Sequence, residues 1–146
     1  NGFSIKYPKT WYRVDLEDST GGYLSKIALT PQAIRQLVKA SESLPGVEIG
    51  VLKLRDCSDS SLYAQEKFDF YINNKELYPD LEIQRLNLEG IYGYKGKGFP
   101  GVTGRYGPEA YIFNCPIEVQ LAFDSTGIEN GEQLFNQILS TFRFLP

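Results

Sequence analysis

The amino-acid sequence predicts an α+β domain in which a mainly antiparallel β-sheet packs against two or three helices. Short runs that alternate apolar and polar residues recur along the chain, with Pro and Gly between them, which is typical of strands. A few longer runs instead repeat apolar residues at helical spacing. Because the chain has 146 residues and no linker-like stretch, we expect a single domain over residues 1–146.

The first part of the chain is predicted to contribute three strands. Residues 3–7 alternate apolar with polar side chains until Pro8 interrupts the pattern. Residues 12–16 alternate again, and residues 23–29 follow a polar turn. These two runs are therefore predicted to form a hairpin.

The middle of the chain is predicted to hold two helices around a strand. Thr30-Pro31 is a helix-start signal, and the apolar spacing that follows predicts a helix over Pro31–Ser43. Residues 47–54 alternate as a strand does, and residues 62–73 carry an imperfect helical stripe. Residues 58–61 can cap this second helix, and Asp56 and Asp59 are interpreted as capping carboxylates and not as catalytic acids.

The second half of the chain is predicted to be mostly strands, with one closing helix. The glycine-rich segment 90–107 is interpreted as strand ends around a mobile loop, because Gly and Pro interrupt regular structure. The remaining predicted elements are strands over 81–88, 110–113 and 116–123, a turn over 124–131, a helix over 132–139 and a strand over 141–145.

The composition of the chain argues against several classes of function. The formal net charge is −3 with both signs spread along the chain, which gives no electrostatic footprint for nucleic acid. No stretch approaches the roughly 20 apolar residues of a transmembrane helix. The sequence contains no histidine, the usual general base near neutral pH. It also lacks methionine and a basic-then-apolar leader, so we expect a mature or excised segment of a longer protein.

The two cysteines, Cys57 and Cys115, lie far apart and form no zinc-binding spacing. In an exported protein such a pair is most simply a disulfide that closes a long loop. The alternative is two separately buried thiols, each behaving as a small apolar residue.

Two further patterns resemble ligand sites by letter. Gly96–Gly101 matches G-x-G-x-x-G, but Pro100 and the residues after it disfavour the helix that a dinucleotide site needs, so we interpret the match as chance. The acidic turns 15–21 and 124–132 lack the calcium-loop spacing of an EF-hand. We expect solvated turns there, and neither a metal nor a cofactor.

Aromatic and basic residues are interleaved in and beside the glycine-rich segment. Aromatic faces beside cations can anchor a protein interface or stack on sugars. The alternative is a hairpin whose tyrosines cover the sheet and whose lysines are solvated. The candidate binding residues are Tyr92, Tyr94, Lys95, Lys97, Phe99, Arg105, Tyr106 and Tyr111.

The sequence favours a binding function over catalysis. It has no G-x-S-x-G motif, and no histidine is available to activate either cysteine. We therefore expect no enzyme. The rival hypotheses are a small-molecule or carbohydrate binder with an aromatic-lined cleft and, less favoured, a hydrolase that uses two carboxylates.

Both ends of the chain resemble PsbP-like domains, the fold of photosystem II extrinsic proteins and of many bacterial lipoproteins. The segments that carry the resemblance are Gly2–Trp11 and the helix-then-strand end Phe135–Phe144. It implies an extracytoplasmic domain, periplasmic or at the cell surface, tethered to a membrane by a segment outside this chain. It also implies an accessory role that binds a protein or another cell-envelope component. The Pro31–Ser43 helix would be an addition to the compact pattern and a candidate interaction element.

Overall fold

The computed structural model of the protein describes residues 2–18, 21–31, 38–39, 44–100 and 107–146. Within these residues, two α-helices and a short 3-10 helix accompany ten strands. The helices are α1 (Ser60–Asn73), the 3-10 helix (Lys75–Leu77) and α2 (Gly131–Ser140). The strands are β1 (Phe3–Ser4), β2 (Tyr12–Glu17), β3 (Ser25–Thr30), β4 (Val38–Lys39), β5 (Gly46–Lys53), β6 (Glu82–Arg85), β7 (Tyr92–Lys97), β8 (Glu109–Asn114), β9 (Ile117–Asp124) and β10 (Arg143–Phe144).

Eight of these strands form one sheet in the order β4-β2-β3-β5-β9-β8-β7-β6. The described pairs are antiparallel except the parallel pair of β4 with β2. The remaining strands, β1 and β10, pair with each other as a separate two-stranded ribbon. The α+β class and the β2–β3 hairpin predicted from the sequence are confirmed.

Two predicted elements differ from the structure. The helix predicted over Pro31–Ser43 is wrong at Val38 and Lys39, which extend beside β2 and complete a ladder at the sheet edge; residues 32–37 and 40–43 lie outside the described part. In the segment 90–107, β7 is a full internal strand. Glycine inside this strand has a structural reason. A Cβ at Gly96 would collide with the carbonyl oxygen of Glu82 on the neighbouring strand, so the close approach of the two strands requires glycine there.

Alternation along the strands builds a core on each face of the sheet. On one face, Ala64 of α1 packs with Tyr94 of β7 and Phe113 of β8. On the other face, α2 covers the larger core, in which Phe123, Phe135 and Phe142 are fully buried. The sheet therefore lies between α1 and α2.

The β1–β10 ribbon lies on the α2 side of the sheet. Phe3 stacks on Phe142 with ring centroids 5.3 Å apart. The backbone N–H of Lys6 donates to Thr141 Oγ1 at 2.8 Å, just beyond the end of α2. These contacts tie the N-terminal strand to the C-terminal segment.

Cys57 and Cys115 form a disulfide, as the sequence predicted, with Cα atoms 5.3 Å apart and a sequence separation of 58. The bond joins the segment before α1 to the turn between β8 and β9. Beside it, the N–H of Cys115 donates to Ser60 Oγ at 2.9 Å. Asp59 caps α1 by accepting from the N–H of Leu62 at 2.9 Å, also as predicted. The start of α1 is thus fastened to the sheet.

Replacing both cysteines, Cys57→Ser with Cys115→Ser, is expected to lower the free energy of unfolding. For a loop of 58 residues, the chain-entropy model gives a loss of about 4 kcal/mol. Urea unfolding without reductant, followed by far-UV circular dichroism, measures the difference. Superimposable unfolding curves for the two proteins would contradict the expectation.

Truncating the centre of the larger core, Phe135→Ala, is expected to cost about 3–5 kcal/mol, because the lost burial leaves a cavity that packed neighbours cannot fill. Phe70→Ala is the matched control, since Phe70 is half exposed on α1. It should cost well under half as much. Similar unfolding midpoints for the two variants would contradict this assignment of the core.

Candidate functional site

The alternation of β7 separates the predicted contact residues onto opposite faces of the sheet. Successive side chains of a strand point to opposite faces. Tyr92 and Tyr94 therefore share the α1 face, whereas Lys95 and Lys97 share the α2 face. The interleaving of tyrosines and lysines in the sequence does not become one mixed surface.

The aromatic members of the predicted site that face α1 pack into one cluster. Tyr94 is 4% exposed and stacks on Tyr111, with centroids 5.2 Å apart. Phe99 contacts Tyr111 at 4.9 Å, and Tyr71 of α1 contacts Phe99 at 5.6 Å. These edge-to-face and stacked rings attach α1 to the sheet.

The tyrosine hydroxyls of this cluster stay protonated. Burial raises the pKa of Tyr94 and of Tyr111, and the carboxylate of Glu109 raises that of Tyr111 further. The Tyr111 hydroxyl donates to Glu109 Oε2 at 2.7 Å. A protonated phenol is a hydrogen-bond donor and a poor nucleophile, so these groups are suited to holding other groups in place.

A chain of polar side chains continues across the same face. The Tyr23 hydroxyl donates to Gln120 Oε1 at 3.0 Å, and Gln120 Nε2 donates to Glu118 Oε1 at 2.6 Å. Burial raises the pKa of Glu118, although the Gln120 hydrogen bond and the charge of Lys67 oppose the shift. Next to this chain, Lys26 pairs with Glu48.

Sequence reasoning missed this polar chain. The signal was present in β9, where Val119, Leu121 and Phe123 alternate with Glu118 and Gln120. Once the apolar set enters the α2 core, the polar set must share the other face with the tyrosines of β7 and β8.

The lysines of β7 bind side chains of α2. Lys95 Nζ donates to Asn136 Oδ1, and Lys97 Nζ to Glu132 Oε2, each at 2.5 Å. The hydrogen bond to Glu132 raises the pKa of Lys97. A small groove of about 140 Å³ lies beside them. Both ammonium groups thus help to hold α2 on the sheet.

Several large apolar side chains are exposed on α1 and on the 3-10 helix that follows it. Leu62 is 58% exposed and Phe70 is 50% exposed, and Ile72 and Leu77 are also exposed. Tyr92, a predicted contact residue, is exposed at the edge of a groove of about 160 Å³ between α1 and the strands β6 and β7.

A wider cleft lies on the other side of the sheet. It separates the N-terminal segment that contains β1 from β2, β3 and β5 and has a volume of about 690 Å³. Its lining combines apolar and polar side chains and includes none of the predicted contact residues.

The remaining predicted residues belong to the glycine-rich segment and to the acidic turns. Arg105 and Tyr106 lie outside the described residues, and so does the end of the Gly96–Gly101 motif, whose start belongs to β7. In the acidic turns, Asp15 pairs with Arg13 and Asp124 accepts from the N–H of Thr126.

Among the described residues, no group of three or more His, Cys, Asp or Glu is placed to hold a metal ion. Nor does any helix in that part of the chain have the length and apolar character to cross a membrane.

Glu118 is expected to make stability depend on pH. Because its pKa is raised on folding, the native state binds more protons than the unfolded state above the ordinary glutamate pKa of about 4.3. Stability is therefore lost as the pH rises through this window. Glu118→Gln removes the effect, so the variant should gain stability relative to the original protein between pH ~4.5 and ~7. Urea unfolding at a series of pH values tests this, and a constant difference would contradict it.

No protein-family model matches the sequence, and no curated protein matches it. Among solved structures, the fold is similar to the solution structure of cyanobacterial PsbP (CyanoP) from Synechocystis sp. PCC 6803. The TM-score is 0.56 with 14% sequence identity, over 99% of this chain and 87% of that chain. At this identity the likeness establishes the fold and no activity. The resemblance seen at the two ends of the sequence is confirmed over nearly the whole chain: this protein has a PsbP-like fold.

Proposed function

We propose that this domain is a non-catalytic binding module of a bacterial cell envelope, and that it binds a protein partner through the outward side of α1. The observation that carries the proposal is the distribution of apolar side chains around α1. Ala64 and Tyr71 pack inward, while Leu62, Phe70 and Ile72 remain exposed among polar residues of the same helix. Large apolar side chains that are exposed close together mark protein-interaction sites, so a partner is expected to cover them.

The contact surface extends beyond the helix itself. Leu77, in the 3-10 helix after α1, is the most exposed large apolar residue of this region, at 65%. Tyr92 lies at the edge of the groove beside α1, which brings one residue of the sequence-predicted site into the proposed interface. Aromatic side chains such as Phe70 and Tyr92 are frequent anchors of protein interfaces, and exposed apolar residues around them exclude water from the contact.

The environments of the reactive side chains support a non-catalytic role. Both cysteines are consumed by the disulfide, and the pKa values of Tyr94 and Tyr111 are raised, where an activated nucleophile would need a lowered one. Glu109 and Glu118, the carboxylates nearest the aromatic cluster, each accept a hydrogen bond from a neighbouring side chain. These groups hold the α1 face together.

The disulfide supports a location outside the cytoplasm. Disulfides persist in oxidising compartments, such as the bacterial periplasm and the cell surface, and are rare in reducing cytosol. The PsbP-like fold is consistent with this, because the sequence resemblance carried the same implication. The proposed partner is therefore a protein of the same compartment.

The proposed partner surface is tested by replacing its apolar side chains with charged ones. In Leu62→Glu with Phe70→Glu, two anchors acquire charge that an apolar interface cannot accommodate, so capture of the partner from an envelope fraction should fall at least about tenfold. Tyr12→Glu with Leu24→Glu is the matched control, since both residues are exposed and lie away from α1.

A photo-reactive residue introduced at position 62 or 70 should cross-link one and the same protein, and a residue introduced at position 24 should not. Circular dichroism checks that each variant is folded. An identical set of captured proteins for the original chain and the α1 variant would refute the proposed surface.

A further inference from the structure

The cleft beside the N-terminal strand has the dimensions of a ligand site. Its volume of about 690 Å³ falls within the range of roughly 300–1,000 Å³ typical of small-molecule pockets. One wall is the N-terminal segment that contains β1, which contributes Phe3 and Ile5, and the other is the α2-side face of the sheet. The cleft is on the opposite side of the sheet from α1.

Apolar side chains cover much of the cleft, and polar residues lie among them. Ile27 and Val51 are partly buried and face the cleft, with the fully buried Leu29 and Ile49 packed beside them. Cross-strand pairing of Ile27 with Ile49 places their side chains next to each other on this face. A wall of branched aliphatic side chains such as Ile27 and Val51 suits an alkyl chain.

The ion pair of Arg13 and Asp15, both of which line the cleft, lies at one rim. Arg13 is opposite Leu29 in the β2–β3 ladder, so its side chain extends from the cleft face of the sheet. Its guanidinium group binds Asp15 Oδ1 through Nε at 3.3 Å and Nη2 at 3.0 Å. A guanidinium group has five N–H donors, so it can bind a second carboxylate alongside Asp15.

We propose that this cleft binds a long-chain fatty acid, with the alkyl chain between the ribbon and the sheet and the carboxylate at Arg13. An aliphatic groove that ends beside an exposed guanidinium matches the two parts of such a molecule. The association of apolar chain and apolar wall supplies affinity, and the charge-assisted hydrogen bonds fix the orientation. This site is separate from the partner surface on α1.

The test is a fluorescence titration of the whole chain with dansyl-labelled undecanoic acid, followed by displacement with hexadecanoic acid or its methyl ester. The original protein should bind one equivalent. Val51→Phe fills the cleft and should weaken binding at least about tenfold, whereas Leu62→Phe, the same kind of change on α1, should leave it unaltered. Circular dichroism verifies that the Val51 variant is folded.

Arg13→Gln, a change at an exposed position that leaves the core intact, tests the orientation. It should raise the dissociation constant of hexadecanoic acid roughly tenfold and leave that of the methyl ester unchanged, each constant being corrected for the weaker binding of the probe, which is itself a carboxylate. The absence of saturable binding, or equal binding by the original protein and Val51→Phe, would overturn the proposal. So would equal competition by hexadecanoic acid and a zwitterionic lysophospholipid, because Arg13 would then select no carboxylate.

Discussion

The register of β5, β9 and β8 is the constraint on which the rest of the structure depends. β9 pairs with β5 along its whole length, from Ile117 opposite Lys53 to Asp124 opposite Gly46. This register directs Val119, Leu121 and Phe123 into the core under α2. A slip of one residue would bury Glu118 and Gln120 among those apolar side chains, at a cost that no alternative pairing offsets.

The same register determines the character of each face. Toward α1, the pairing of Tyr111 with both Tyr94 and Gln120 brings an aromatic cluster against a chain of hydrogen-bonded polar side chains. Toward α2, the corresponding positions are aliphatic or are lysines that bind Asn136 and Glu132. One face thus supports a helix through rings and hydroxyl groups, and the other through apolar burial and two ammonium groups.

Sequence patterns predicted most of the elements because local periodicity and turn residues determine them. The alternation of residues 116–123 and the helical spacing of 132–139 correspond closely to β9 and α2. The pattern at Val38 was misleading because a strand of two residues depends on the adjacent edge of β2 and has no period of its own. The disulfide was predictable only as one of two alternatives, since sequence separation says nothing about proximity.

The candidate sites were less predictable because they depend on which faces of different elements meet. Tyr94 and Lys95 are adjacent in sequence, yet the strand sends them to opposite sides of the sheet. The cleft lined by Ile27, Val51 and Phe3 exists only because β1 near one end of the chain pairs with β10 near the other end. No local sequence pattern predicts that pairing. The imperfect stripe predicted over residues 62–73 includes Leu62 and Ile72, and the structure leaves both of them exposed.

The N-terminal strand, which lies in one wall of the cleft, is attached to the protein differently from the strands of the sheet. In the part of the chain that the structure describes, β1 pairs with β10 and with no strand of the eight-stranded sheet. Its anchors are the stack of Phe3 on the buried Phe142 and the hydrogen bond from Lys6 to Thr141 at the end of α2. Apolar packing, and not a strand ladder, therefore holds this wall of the cleft against the sheet. Hydrogen bonding determines the sheet, whereas burial of the Phe3 ring determines where the N-terminal segment lies.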